Sequence, residues 1–350
     1  YEEEASQLEA MPPDKYYAEK VAHLFATQHK VFTIKPNLIE LLPTLVWHLD
    51  EPIGDPAVIN TYLICKNAKK EGITVLLSGM GGDELFGGYR KYLSVKLGRY
   101  FSLLPGEIKR KIGEKLENLP VRSEVKGYRR IRWGKWFFRK VGENWRESFV
   151  NNSTYYTEEE MKKLLPIKGV EDYYKEKVWN LFDKTEGIGY INQMCYVDTK
   201  LYLRDLNLAY TDKASMGASS EVRVPFLDHR IVEYAFRLEG KLKINNLTTK
   251  YFLKKIASPL LPKEIIHRPK APFGAPLRGW IWKDLDGVIK EVLSKENIKK
   301  RNLLSAEYVE ELVEKNRKGV EDYAHRIWGL LVLEIWYQTF MNNEGCVVRL

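Results

Sequence analysis

The sequence predicts an α/β protein: a parallel sheet flanked by helices, with a large helical insertion and a helical C-terminal part. Three observations lead there. A continuous apolar run at 73–77 follows helical stretches and enters a glycine-rich loop, as a buried strand of a parallel sheet does. Residues 95–195 then show helical patterning with polar breaks and no strong strand. With 44% apolar and 29% charged residues among 350, the chain has the composition of a folded protein and can bury one large core or two modest ones.

Taken in order, residues 15–28 place Tyr17, Val21, Leu24, Phe25 and Gln28 at helical spacing. Residues 30–34 form a short β-branched and aromatic run that predicts a strand. A helix over 37–48 ends at the turn Asp50-Glu51-Pro52-Ile53-Gly54-Asp55-Pro56, whose acids suit turn and cap positions. A second helix spans 57–70, and the strand 73–77 follows. Ligands on such sheets sit beyond the carboxyl ends of strands, where 78–84 falls. Beyond the insertion, helices are predicted over 196–218, 228–238 and 249–260, with Thr248 as N-cap of the last. Peripheral helices fill 281–342, one through Trp328 and Trp336. This divides the chain into an N-terminal α/β part (1–95), a basic aromatic helical insertion (96–195) and a helical remainder (196–350).

The net charge of +9 is concentrated. Residues 91–150 hold 16 Lys/Arg against 6 Glu, so the rest of the chain is about neutral. Arg129, Arg130, Arg132, Lys135, Arg139 and Lys140 alternate there with Tyr128, Trp133, Trp136, Phe137 and Phe138, a mixture that could grip a nucleic acid. An amphipathic helical insertion with its rings inward and its cations in water explains the same pattern, and a nucleic-acid partner is not expected. The three cysteines (Cys65, Cys195, Cys346) are far apart and form no CxxC pair, which fits a reducing, cytoplasmic setting. The apolar stretch 327–340 contains Glu334 and Gln338 and is too short to span a bilayer.

The densest chemistry lies in the run from Val75 to Tyr89, VLLSGMGGDELFGGY. Its glycines admit a bulky anion to backbone N–H groups, and Asp83 and Glu84 suit a magnesium ion shared with phosphates. The loop SGMGGDELFGGY resembles the nucleotide-binding loop of the asparagine synthetase family, ATP-pyrophosphatase (adenine nucleotide alpha hydrolase-like) domains that adenylate a carboxylate and amidate it. Three later segments agree in order: DLNLAYTDKASM at 205–216, EVRVPFLDH at 221–229, and Thr248-Thr249-Lys250 with His267-Arg268-Pro269-Lys270. The resemblance covers about 14–95 and 196–282.

The resemblance implies ATP and Mg2+ as cofactors, with aspartate or another carboxylate activated as an acyl-adenylate and ammonia supplied by a glutaminase domain. It gives Ser78, Gly79, Gly81 and Gly82 to ATP, Asp83 to the metal, and Lys270 and Lys250 to charge developing on the α-phosphate. Glu84, Asp205, Asp212, Arg223 and Arg268 belong by resemblance to the substrate pocket or its support. Glu84 is expected either to orient the loop or to stand as a helix N-terminal carboxylate, and Arg223 is expected to form a buried network with Glu221 and Asp228 that shapes the pocket. Lys213 stands where many relatives carry Arg. Met80 is a departure: asparagine synthetases usually place an acid there and β-lactam-forming relatives a Tyr, and a thioether cannot move a proton.

The chain opens on Tyr1 rather than Met, so its N-terminus is expected to be a cut, with the glutaminase domain and the first strand and pyrophosphate turn of the family missing. Two other readings stay open: a relative amidating a surface or secondary metabolite or a peptide, and a non-catalytic module binding RNA or another anion. A homodimer stands among the candidate assemblies.

Overall fold

The structure is a computed structural model that describes residues 14–101, 103–117, 134–135, 137–138, 140–141, 144–167, 173–269 and 273–342. Lys270, Arg129, Arg130, Arg132, Tyr128, Trp133, Trp136, Arg139 and Cys346, all singled out above, lie outside the described residues.

Helices dominate. In chain order they are α1 (Asp14–Leu24), α2 (Leu38–Leu49), α3 (Ala57–Lys70), α4 (Gly82–Phe86), α5 (Arg90–Phe101), α6 (Gly106–Glu117), α7 (Trp145–Asn152), α8 (Glu158–Leu164) and α9 (Tyr173–Asp183). One continuous helical run, α10, joins Tyr190–Asp198, a π-wound stretch Thr199–Leu208 and Ala209–Gly217. The remaining longer helices are α11 (His229–Arg237), α12 (Tyr251–Ala257), α13 (Asp286–Val292), α14 (Lys295–Arg301), α15 (Ala306–Arg317) and α16 (Ala324–Tyr337).

Among the described residues the sheet has two strands, β1 (Val75–Leu77) and β2 (Glu221–Arg223), paired in parallel with Val75 opposite Glu221 and Leu77 opposite Arg223. The parallel pairing agrees with the sequence, but cover on both faces does not: Leu77 is 75% exposed and Val75 41%. The strand expected at 30–34 is not formed. Val31 and Phe32 are exposed, and a β-prone run without a partner for its backbone groups gains nothing from an extended ladder.

Three apolar clusters hold the helices. The largest joins α2, α3, the C-terminal end of α10 and α13–α16 through Leu42, Leu45, Ile59, Ala214, Trp328 and Ile335. Trp328 is fully buried, so the tryptophan-bearing helix expected at the periphery is central instead. Its apolar residues surround the helix, the signature of a core helix rather than of a surface one. Glu334, 3% exposed, is the polar exception; it accepts from Arg301 Nη2 at 2.9 Å and ties α14 to α16.

The second cluster joins α5, α7, α9 and the start of α10 through Tyr92, Val95, Phe149, Phe182, Met194 and Cys195. Inside it, Asp198 takes Lys91 Nζ at 2.6 Å and the Tyr92 hydroxyl at 2.5 Å. Burial still pushes the Asp198 carboxyl up, against the pull of Lys91. The described part of the basic aromatic stretch packs inward as expected, with Phe137 buried and Phe138 edge-on to Phe101 at 4.7 Å. The third cluster sets Leu85 and Phe86 of α4 against Ala235 and Leu238, with Phe226 and Phe252 alongside. Behind α4, Lys243 is wholly buried; its Nζ has no hydrogen-bond partner among the described residues and lies 4.7 Å from the centre of the Phe236 ring. Cys65 and Cys195 are buried free thiols. No helix among the described residues is long and apolar enough to cross a membrane.

Candidate active site

The glycine-rich loop leaves β1 at its carboxyl end. Ser78 N–H donates to the Arg223 carbonyl at 2.8 Å, which continues the strand pairing by one residue before the chain turns away. The Ser78 hydroxyl accepts from Met80 N–H at 3.3 Å, closing a tight Ser turn. Gly79 is exposed, and a Cβ built on it would meet nothing within 4 Å, so its backbone is open to a ligand. Gly81 has a different task. At φ +86 it starts α4 in the left-handed region, and a Cβ would lie 2.4 Å from Leu227 Cδ2. Gly82 is buried, and a Cβ built on it would make only ordinary contacts with Phe226 and Lys250.

Asp83 and Glu84, adjacent on α4, point to different chemistry. Asp83 is partly exposed and lies 3.2 Å from Lys250 Nζ, an ion pair made across the whole insertion. Lys250 stands at the start of α12 in the left-handed region, φ +52, an unusual position for a long side chain. The N-cap expected at Thr248 is therefore displaced: Thr248 bridges Asn245 instead, and α12 begins after Lys250. Gly88 makes the pair possible, since a Cβ there would sit 1.8 Å from Asp83 Oδ1 and 2.3 Å from Lys250 Cε. Lys254, one turn further on, has its ammonium pKa lowered by burial and by the charge of Lys250.

Glu84 is 1% exposed. It accepts from the Tyr89 hydroxyl at 2.6 Å and from Asn207 Nδ2 at 2.9 Å, and Asn207 also reaches the Tyr89 oxygen at 3.2 Å. Burial raises the Glu84 carboxyl and, together with the Glu84 charge, drives the Tyr89 phenol far above its ordinary range. The π-wound part of α10 builds this cluster. Tyr202 and Asn207, five residues apart, both meet Tyr89, the Tyr202 ring at 5.4 Å edge-on. On an ordinary α-helix two such positions point about 140° apart. Tyr89 and Asn207 were missed in the sequence; the Tyr closing the FGGY run is the signal that could have found the first.

The other pocket candidates are placed differently. Met80 receives the Thr211 hydroxyl on its sulfur at 3.2 Å and packs against the largest core. Asp205 is exposed and paired with its neighbour Arg204. Asp212 is exposed on the last part of α10. Lys213 turns to the end of α2, donating to the Leu49 carbonyl at 2.5 Å near Asp50 and Glu51. The buried network expected of Arg223, Glu221 and Asp228 is not there. Arg223 and Glu221 form an exposed pair at 2.7 Å, because alternate residues of a short strand project from the same face, here an open one. Asp228 instead caps α11 and holds Arg230. Arg268 reaches away to Asp14 of α1 and lies over the Tyr17 ring, bracing the outer helix.

No group of three or more His, Cys, Asp or Glu that could hold a metal by itself exists among the described residues. Asp83 fits magnesium in another way. It offers a half-open carboxylate beside an open backbone loop, and magnesium commonly takes one or two carboxylates and completes its shell from phosphates and water.

A loop at the carboxyl end of a parallel strand, closed by a carboxylate and a lysine from a distant segment, stands where ligands bind in α/β proteins. The chain belongs to the asparagine synthase family, whose model matches residues 5–338. It is 31% identical over 296 residues to asparagine synthetase [glutamine-hydrolyzing] 1 of Bacillus subtilis, covering 85% of this chain and 45% of that protein. It is 30% identical over 310 residues to a putative asparagine synthetase [glutamine-hydrolyzing] of Mycobacterium tuberculosis, covering 88% and 46%. A more distant relative is the amidase chyE of Penicillium rubens, 23% identical over 299 residues, covering 77% and 42%. The chain thus spans about half the length of the curated relatives it matches.

Proposed function

We propose that the protein carries out ATP-dependent amidation of a carboxylate through an acyl-adenylate, releasing AMP and pyrophosphate, with ammonia derived from glutamine. The observation that carries this reading is the Asp83–Lys250 pair at 3.2 Å, standing at the end of an open glycine loop. Lys250 would hold charge developing on the α-phosphoryl oxygens, where a fixed ammonium in a partly dry site is worth far more than in water. Lys254 adds a second cation one turn away, and phosphate would relieve the repulsion between the two. When bound, magnesium would neutralise the phosphates from Asp83. Ser78 and the Gly79 backbone would cradle the nucleotide, while Glu84, fixed by Tyr89 and Asn207, keeps α4 in place. Lys270 is assigned to the α-phosphate by motif.

The acceptor expected from the relatives' names is aspartate. A specific observation favours a second reading, amidation of a different carboxylate: Met80, held by Thr211, puts a thioether where a proton acceptor would serve amine attack. ATP-dependent pyrophosphate release by the full-length protein tests both. Release with aspartate, falling at least about 100-fold in Lys250→Ala, supports the first reading. Release with another acid and not with aspartate supports the second. No release with any carboxylate, nucleotide and magnesium being present, overturns the adenylation reading.

A further inference from the structure

Behind the Glu84–Tyr89–Asn207 cluster lies a cavity of about 1620 Å³, walled by the end of the α2–α3 turn, the insertion, the π-wound part of α10 and α16. Ligand pockets commonly measure about 300–1,000 Å³, so this one exceeds what a single amino acid needs. Tyr89, Tyr155 and Tyr202 furnish ring faces. Tyr155, 58% exposed, lines the cavity and is stacked on His325 with centroids 5.4 Å apart and planes 8° from parallel.

Asp55 opens onto the same space. One of its oxygens accepts from Ala57 N–H at 2.9 Å, which caps α3. No cation among the described residues pairs with it. Of the cations lining the cavity, Lys91 pairs with Asp198, Arg326 with Glu160 and Arg278 with Asp322. Burial raises the Asp55 carboxyl, and burial first, then the nearby Asp55 charge, push the Tyr155 phenol up to about 12. A half-buried carboxylate without a counter-ion gains from a cation that completes it. Aromatic faces beside it favour an organic cation over a hydrated metal ion.

We propose that this cavity binds an organic ammonium compound bulkier than a free amino acid, its cationic group on Asp55 between Tyr155 and Tyr202. Tyr89 forms the wall shared with the loop, since its hydroxyl ends 2.6 Å from Glu84, next to Asp83. Resting on the amidation reading, the ligand is the far end of the acceptor, and the acceptor is then larger than aspartate. Binding itself needs neither ATP nor turnover, so its failure and the failure of amidation are separable.

Isothermal titration of the protein with phenethylammonium, 2-phenylethanol and 3-phenylpropionate tests this. Saturable binding of the ammonium alone is expected, at least about 10-fold weaker in Asp55→Asn, which keeps the oxygen that caps α3. Tyr155→Leu, at a position half open to solvent, is expected to weaken it several-fold. If Asp55→Asn lowers Tm sharply, the preference of the wild-type protein for the ammonium over the alcohol, with the Tyr155→Leu loss, decides the matter. Equal binding of the three probes, no saturation by the ammonium up to about 10 mM, or undiminished affinity in both variants overturns the proposal.

Discussion

Gly88 shows how one missing methyl group can organise a site. A Cβ there would occupy the space in which the Asp83 carboxylate and the Lys250 stem meet. Gly88→Ala is therefore expected to reduce pyrophosphate release by about 100-fold with little change in Tm, because a displacement near 1 Å at reacting groups costs on that order. Kinetics alongside thermal unfolding check it, and a collapse of Tm equal to the loss of activity would refute it. Glu84 gives a pH-dependent expectation. Its carboxyl pKa is raised by burial above the ordinary 4.5, so the folded state binds the proton more tightly than the unfolded chain does. Stability from this residue accordingly falls as pH rises from 4.5 through the raised value. Glu84→Gln keeps an acceptor for Tyr89 and Asn207 and removes that penalty. Its Tm relative to wild type should be higher at about pH 8 than at about pH 5. Among single residues, Asp83 and Lys250 stood out in dense motifs, and the structure brings the two side chains together. The exposure of Arg223 was not, because a motif carries no information about which strands cover the face it lies on.

At the scale of elements, local signals succeeded where they act over neighbouring residues. Helices α2 and α3 begin and end within a residue of the sequence expectation, bounded by Asn37 and the Asp50–Pro56 turn. The 30–34 run failed for the opposite reason: a strand exists only by pairing, and pairing is not a local property. The π-wound stretch of α10 was equally invisible, since its apolar pattern is also compatible with an ordinary helix. Helix α8 carries a cap that can be measured directly. Thr157 accepts from Glu160 N–H, and Glu160 returns to Thr157 N–H while its carboxylate also takes Arg326 of α16. Thr157→Ala should cost about 1 kcal/mol in denaturant unfolding. Glu160→Ala should cost more, because it also strips a half-buried guanidinium of its partner.

For the whole molecule, the sequence conveyed a mostly helical chain with a parallel strand pair, but not the weight of the C-terminal helices. Trp328 was expected at the periphery and is fully buried in the largest cluster, where α2, α3 and α16 converge. Trp328→Ala should lower unfolding free energy by about 3–5 kcal/mol and shift the entire transition rather than one phase of it. A separate early phase that leaves the nucleotide loop folded would argue against a shared core.

Lys243 has a consequence for the solvent in which the protein is most at ease. Its ammonium is enclosed against Phe236, and burial lowers its pKa from the ordinary 10.5. The unfolded chain therefore holds that proton more firmly than the native one, and each step toward alkali from the lowered value up to 10.5 favours the native state. Other titrations aside, mild base should tighten this part of the molecule, and Lys243→Met should abolish the benefit by granting it at every pH.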